Sequence, residues 1–358
     1  MEALAEFEVQ KVTQSSVHEV DLGNPGFGEI FSDHMMEMKY EGGSWQNPVI
    51  KPYGPVEITP SLSTLHYGQS VFEGTKAYYV DEKTVHLFRP EKNAERLVKS
   101  CERMCIPAVD KKLFLDGIKS LIRLDKDWVP TKEGNSLYIR PFVCGWDNVV
   151  SAQAADNYRF YIITSPVGSY YTDPVKLITP QHYIRAAKGG TGEAKAAGNY
   201  ASSFYPARKA LEMGYDQILW LDAKEHKYVE EVGTMNIFFI IDDVLVTSPL
   251  TGTILPGVTR DSVIKLAQSW GMDVDERKLS IDELMEAGRE ERLQEVFGAG
   301  TAAVITPVES ITHRDETISM PQKKRGPIAQ KFYDTIYGIQ TGTMDDPFNW
   351  VQKVEVDG

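Results

Sequence analysis

The sequence predicts a two-domain protein of the α+β class. Three observations carry that expectation. The chain has 358 residues, more than one ordinary domain needs. Helix-like and strand-like patterns occur in both halves without the regular βαβ alternation of a wound parallel sheet. Ser165-Pro166-Val167-Gly168-Ser169-Tyr170-Tyr171-Thr172-Asp173-Pro174 is rich in turn formers and separates two structured blocks. The expected division is a small α+β domain over 1–164, a linker over 165–175 and a large α+β domain over 176–358.

The elements follow from local signals. Tyr78 to Phe88 reads as a hairpin around Asp81-Glu82-Lys83, and a helix follows from Pro90 to about Met104 with proline in its opening turn. Lys111 to Leu124 is a second helix, because Leu113, Leu115, Ile118, Leu121 and Ile122 form an apolar stripe. Ser136–Gly145 and Tyr158–Ser165 read as strands. Beyond the turn-rich stretch, Phe204–Met213 reads as a helix, and Gln217–Leu221 and Val229–Ile241 as strands joined by a hairpin at Asp222–Lys227. Val258–Trp270 is a helix with Val263, Ile264, Ala267 and Trp270 on one face. Ser280-x-x-Glu283 is a capping box opening another. A last helix runs from Gly326-Pro327 to about Gln340, and the tail from Thr341 to Gly358 has little pattern beyond Phe348 and Trp350.

Composition narrows the function classes. A formal net charge of −13 argues against a nucleic-acid partner, whose binders carry basic patches. No apolar run approaches membrane-spanning length, and the opening residues, Met1 to Glu6, are acidic and lack a signal-peptide pattern. The cytoplasm is the expected location. Cys101, Cys105 and Cys144 are sparse and odd in number, which fits a reducing compartment rather than a disulfide scaffold. Cys101 and Cys105 lie one helical turn apart, but no histidine is close in sequence, so packing is expected there and no metal site.

The stretch richest in chemistry is Gly189-Gly190-Thr191-Gly192-Glu193-Ala194-Lys195-Ala196-Ala197-Gly198-Asn199-Tyr200. Small neighbours let a flat ligand approach the backbone, and a lysine amine in such a pocket can form a Schiff base. That is the chemistry of pyridoxal phosphate, an aldehyde that acts as an electron sink. Taken alone, the stretch also fits a turn followed by a solvated lysine. It is not a Walker loop, since Ala194 and Ala196 flank Lys195, and it fails the dinucleotide fingerprint because Lys195 falls at the third glycine position.

Such a cofactor needs further groups. Glu230 and Glu231 are candidates for an acid beside a pyridine nitrogen. Successive strand residues face opposite ways, and Glu231 leads into Val232-Gly233-Thr234 and the apolar run Ile237 to Ile241, so it is the one expected to be enclosed; two surface carboxylates remain the alternative. Gly257-Val258-Thr259 opens a helix whose N–H groups suit a phosphate. Gly298-Ala299-Gly300-Thr301-Ala302 is either a second anion loop or a tight turn between strands. Arg96, on the first helix, either completes a phosphate site or makes a surface ion pair. Arg140, on the same face of an otherwise apolar strand as Tyr138, is either functional or paired with a buried carboxylate.

In order along the chain, these motifs resemble the branched-chain amino acid aminotransferases of the pyridoxal-phosphate fold-type IV group. The resemblance covers nearly the whole chain. It runs through Phe31-Ser32-Asp33-His34-Met35, Leu65-His66-Tyr67-Gly68-Gln69-Ser70-Val71-Phe72-Glu73-Gly74 and Leu87-Phe88-Arg89-Pro90. Asp125-Lys126-Asp127-Trp128-Val129-Pro130, Tyr138-Ile139-Arg140-Pro141 and the Lys195 stretch come next. Glu231 to Asn236, Ile254 to Arg260 and Phe297 to Ala302 complete it.

The resemblance implies a two-domain fold with the active site in the interdomain cleft and the lysine on the large domain. It implies transamination of leucine, isoleucine and valine with 2-oxoglutarate by two half-reactions, in a homodimer. Lys195 would be the Schiff-base lysine and proton carrier. Tyr200 would bond the cofactor's phenolic oxygen, and Glu231 its pyridine nitrogen. Arg96, Val258, Thr259 and Thr301 would hold the phosphate. Tyr67, Thr301 and Ala302 would hold the substrate carboxylate. Phe27, Phe72, Tyr138, Tyr170 and Thr234 would line the side-chain pocket, with Arg140 near its edge. D-amino acid aminotransferases and aminodeoxychorismate lyases share the lysine and glutamate logic. A phosphate- or nucleotide-binding module is the alternative from outside the fold. Mammalian members of the family carry a Cys-x-x-Cys pair just after the Gly-Thr-Ala turn; here those positions are Ala303 and Thr306, so no thiol switch is expected there.

Overall fold

The computed structural model describes residues 7–168, 173–322 and 324–356. The chain forms two compact units, one of Met1–Tyr170, Ala194–Gly198 and Gly338–Gly358, the other of Tyr171–Glu193 and Asn199–Tyr337. Each is a mixed sheet with helices, so the fold is α+β. Among the described residues no helix is long and apolar enough to cross a membrane.

The first unit is built on a ten-stranded sheet. Its centre is antiparallel, with Ser136–Gly145 paired along its full length to Tyr158–Val167. His34–Glu41 lies outside Tyr158–Val167, and Thr75–Asp81 and Thr84–Phe88 form a hairpin on the other side. Strand alternation sends Leu137, Ile139 and Val143 into a core shared with Met36, Phe160 and Ile162. The helices Pro90–Arg103 and Lys111–Leu124 close that core through Leu97, Cys101, Phe114, Ile118 and Leu121. Gly117 is required on the second helix, because a Cβ there would lie 2.4 Å from the Met36 sulfur.

The tail departs from the sequence reading. Val351–Glu355 is a strand that completes the sheet by pairing antiparallel with Thr84–Phe88. Trp350 anchors it, stacked on Phe348 with centroids 4.3 Å apart and edge-on to Phe88, beneath the Arg89 guanidinium.

The second unit is built on a nine-stranded sheet. Val175–Ile178 pairs in parallel with Gln217–Leu221 and with Val304–His313. Leu293–Gly300 and Asn236–Ile241 continue it antiparallel. The expected single strand over Val229–Ile241 is two strands, Val229–Val232 and Asn236–Ile241. Gly233, at a φ of 49°, breaks it, and the ladder partners change across the turn from Gln217–Leu221 to Leu293–Gly300. The Ser280 cap is present: its hydroxyl accepts the Glu283 N–H at 3.1 Å. Glu283 does not complete the box, because its carboxylate is drawn to Arg277.

Candidate functional site

In the first unit the predicted residues form a connected chain on the face of the sheet opposite its core. Phe27 and Tyr138 have ring centroids 5.4 Å apart. The Tyr138 hydroxyl accepts from Arg140 Nη2 at 2.8 Å. The Arg140 guanidinium sits 4.6 Å from the Phe72 ring centroid, and the Lys195 ammonium 4.7 Å from the same centroid. Arg140 is thus held by aromatic faces and a phenol; no carboxylate pairs with it among the described residues. Gly74 makes room, since a Cβ there would lie 2.2 Å from the Tyr138 oxygen. Lys76 stands opposite Tyr138 in the ladder, and burial pushes its ammonium down to about 8. Tyr67 ends the short helix Ser63–Tyr67 and is exposed. Tyr170 lies outside the described residues.

Lys195 is fixed through its backbone. Its carbonyl accepts the Phe72 N–H at 3.0 Å, its own N–H donates to Ser100 Oγ at 3.0 Å, and Ala196 bridges Val71.

Arg96 is not on the surface. It is buried on the helix Pro90–Arg103, and its Nε and Nη2 grip the two oxygens of the fully buried Glu73 at 2.7 and 2.9 Å. Asn93 and the Gly74 N–H complete the cradle. Burial pushes the Glu73 carboxyl up, but Arg96, aided by Lys195 and Asn93, outweighs it and holds the group below the usual carboxylate range. Glu73 escaped the sequence reading, although it directly follows Phe72.

In the second unit Tyr200, Glu231 and Thr234 line one recess with Arg185, Asn236 and Leu255. Glu231 is only 3% exposed. Its Oε1 pairs with Arg185 Nε, and its Oε2 accepts from the Leu255 N–H at 3.2 Å and from Asn236 at 3.4 Å. Arg185 in turn donates to the carbonyls of Gly192 and Thr253. Nothing local marks Arg185 in the sequence, because its partner lies 46 residues away. Glu230 is enclosed as well, at 7%, so the expectation of one enclosed and one surface carboxylate is corrected: strand alternation buries both on opposite sides.

The glycines have specific work. A Cβ at Gly192 would lie 2.6 Å from the Thr253 carbonyl, and one at Gly257 would lie 2.1 Å from Asn236 Oδ1. Gly257 caps Val258–Ser269, and Asn236 Nδ2 donates both to the Leu255 carbonyl just before that cap and to Glu231. Thr301 and Ala302 sit in the tight turn between Leu293–Gly300 and Val304–His313. Gly298 and Gly300 pack against Met235 of the recess.

Thiols take no part in this arrangement. Cys101 and Cys144 are buried, and burial pushes both thiols up to about 12. Cys105 departs from the expected packing: it follows the helix at a φ of 55° and is exposed. A thiol reagent is expected to label one of the three cysteines rapidly in the native protein, with the other two reacting only on unfolding. Mass spectrometry after partial labelling checks this. Inactivation by mild peroxide that a thiol reductant reverses would contradict the expected lack of a thiol switch. Among the described residues no group of three or more His, Cys, Asp or Glu side chains is placed to hold a metal ion.

Comparison with known proteins agrees with these features. Residues 70–311 match the family Amino-transferase class IV. The Bacillus subtilis (strain 168) branched-chain-amino-acid aminotransferase 2 is 49% identical over 348 residues, covering 96% of each chain. The Mycolicibacterium smegmatis branched-chain-amino-acid aminotransferase is 43% identical and covers 95% of each. Among solved structures, the Thermoproteus uzoniensis branched-chain aminotransferase with norvaline superposes with a TM-score of 0.74 at 28% identity, covering 90% of this chain and 99% of that one. A second solved branched-chain amino acid aminotransferase, complexed with N-(5'-phosphopyridoxyl)-L-glutamate, gives 0.72 at 26%, with the same coverage. The chain therefore belongs to the class IV amino-transferases and, within them, to the branched-chain-amino-acid aminotransferases.

Proposed function

We propose that this enzyme transfers the amino group of L-leucine, L-isoleucine and L-valine to 2-oxoglutarate, giving the branched-chain 2-oxo acids and L-glutamate, with pyridoxal 5'-phosphate as cofactor. The observation that carries the reading is the Glu231 carboxylate. It is buried, held by an arginine, a backbone N–H and an asparagine, and it lines a recess with a tyrosine phenol.

The donor set fits the cofactor. An anionic carboxylate suits a protonated ring nitrogen, the Tyr200 hydroxyl suits a phenolic oxygen, and the helix N-terminus at Val258 and Thr259 suits a phosphate. Bound pyridoxal phosphate supplies the electron sink that makes the substrate Cα–H acidic. The chain's residues do the rest. Glu231 would face the ring nitrogen, and Arg185 pairs with Glu231. The Lys195 amine holds the cofactor and carries the Cα proton. By the family resemblance, Arg96 and Thr301 would add to the phosphate site. By the family resemblance, Tyr67 and the N–H groups of Thr301 and Ala302 would receive the substrate carboxylate.

Substrate choice follows from the face around Phe72. Phe27, Phe72 and Tyr138 offer aromatic surface to an aliphatic side chain; the family resemblance adds Thr234 and Tyr170 to that pocket. Arg140 offers the cation that the second carboxylate of glutamate needs, and it is seated against the Phe72 ring and the Tyr138 hydroxyl. Discrimination among leucine, isoleucine and valine is modest, since one methylene is worth about 1–3 kcal/mol.

We also infer a cytoplasmic homodimer. The partner copy is what the family resemblance implies. Unpaired cysteines fit a reducing compartment.

An absorbance spectrum tests the assignment. L-leucine is expected to bleach the cofactor's band near the visible edge, and 2-oxoglutarate to restore it. A band that ignores leucine and answers D-alanine would keep the fold and replace the substrate. No band after incubation with the cofactor would remove the assignment.

A further inference from the structure

The second unit contains a cavity that the transamination scheme leaves unused. It has a volume of about 550 Å3, within the range of small-molecule sites. Glu230 lies in its wall and is 7% exposed. Thr253 Oγ1 donates to Glu230 Oε1 at 2.5 Å, while Oε2 is buried with no hydrogen-bond partner among the described residues. A buried carboxylate oxygen without a donor is costly. Burial pushes the group up from its usual range, against the pull of Thr253 and Arg185. A chain that needed only packing here would gain by an apolar residue of the same volume.

Three lysines share the same wall. Lys188, Lys224 and Lys278 line the same cavity and are exposed. Lys278 Nζ lies 4.7 Å from the Tyr228 ring centroid, which also faces the cavity. Of the other acids there, Asp222 spends its carboxylate on the N–H groups of Lys224, Glu225, Lys227 and Tyr228, and Glu225 is exposed at the rim. The cavity therefore presents one enclosed carboxylate, with three lysines and Glu225 around it.

We infer that this cavity is a second binding site, distinct from the recess of Glu231, and that it takes a small zwitterion whose primary ammonium meets Glu230 and whose carboxylate meets the rim lysines. Free amino acids are the ligand class with that chemistry. The site is wired to the recess by one residue. Thr253 donates its hydroxyl to Glu230 and accepts Arg185 Nη1 on its carbonyl at 2.6 Å, and Arg185 pairs with Glu231. A ligand that draws on Glu230 thus reaches Arg185, and through it Glu231. Binding stands on the cavity alone; its effect on the cofactor rests on the role proposed for Glu231.

Titration calorimetry of the holoenzyme with β-alanine, which has no α-amino group to transfer, tests the site. Saturable binding is expected, weakened roughly tenfold or more in Glu230→Gln, where a charge-assisted hydrogen bond is lost, and also weakened in Lys278→Met, a surface change that leaves the fold alone. Propionate, lacking the ammonium, is expected to bind far more weakly than β-alanine. No saturable heat with the wild type, equal binding by Glu230→Gln, or equal binding of propionate would each overturn the inference. Recording the cofactor band in the same titration separates the two layers. A shift supports the link through Thr253, and binding without a shift removes the link but keeps the site.

Discussion

Alanine at Lys195 is expected to lower leucine turnover by at least about 10²–10⁴-fold, the contribution of a positioned proton carrier alone, with a smaller loss of thermal stability than Arg96→Ala produces. The separation follows from how the residue is held. Its hydrogen bonds to Phe72 and Ser100 use only backbone atoms, and its flanking alanines, Ala194 and Ala196, are the buried ones. Truncation therefore removes the amine and little of the packing. Lys195→Arg is expected to fail as well, although it keeps the charge beside Phe72, because a guanidinium does not give up its proton in a protein. Stopped-flow absorbance with L-leucine and calorimetric unfolding check both halves. Turnover within tenfold of wild type in either variant would overturn the role of Lys195.

Arg96→Ala is expected to fail in the other way, through the fold. Glu73 is fully buried and Arg96 is its cation. Breaking a buried pair from one side costs about 3–5 kcal/mol, which denaturant unfolding at neutral pH should read directly. The pH dependence gives a sharper check. With Arg96 present, the folded Glu73 carboxyl titrates below its unfolded value. Its contribution is complete above the ordinary carboxylate pKa and is lost as pH falls through the lower folded one. Without Arg96, burial dominates and the folded pKa rises, so the variant gains relative stability once Glu73 is protonated. The gap between wild type and variant should shrink as pH falls through the carboxylate range. Removing both charges, as Glu73→Gln with Arg96→Met, should restore much of the stability without restoring cofactor affinity. A gap that stays constant with pH would mean that the pair does not carry the fold.

The parts legible in the sequence were those whose causes are local. Lys111–Leu124 follows from its own stripe and from Asp110, whose side chain accepts the Leu113 N–H. The Ser280 cap is equally self-contained. Lys195, Tyr200 and Glu231 stood out because glycines, alanines and an apolar run surround them. What escaped depends on distant partners. Val351–Glu355 has no strong alternation of its own and becomes a strand only against Thr84–Phe88. Arg185 and Glu73 are ordinary charges until the fold sets them against Glu231 and Arg96. Glu230 looked like a surface acid because nothing in its neighbours announces that both faces of Val229–Val232 are covered.

That late strand also bears on how the protein is made. The sheet of the first unit takes its outer member from Val351–Glu355, and the chain must pass through all of the second unit before that member emerges from the ribosome. At about 5–20 residues per second, the hairpin Thr75–Phe88 waits many seconds with one side of Thr84–Phe88 unpaired. An unpaired edge is a template for pairing with another chain. Nascent chains halted before residue 351 are accordingly the ones expected to recruit chaperones and to aggregate, and the two units complete themselves in an order opposite to that in which they are first read.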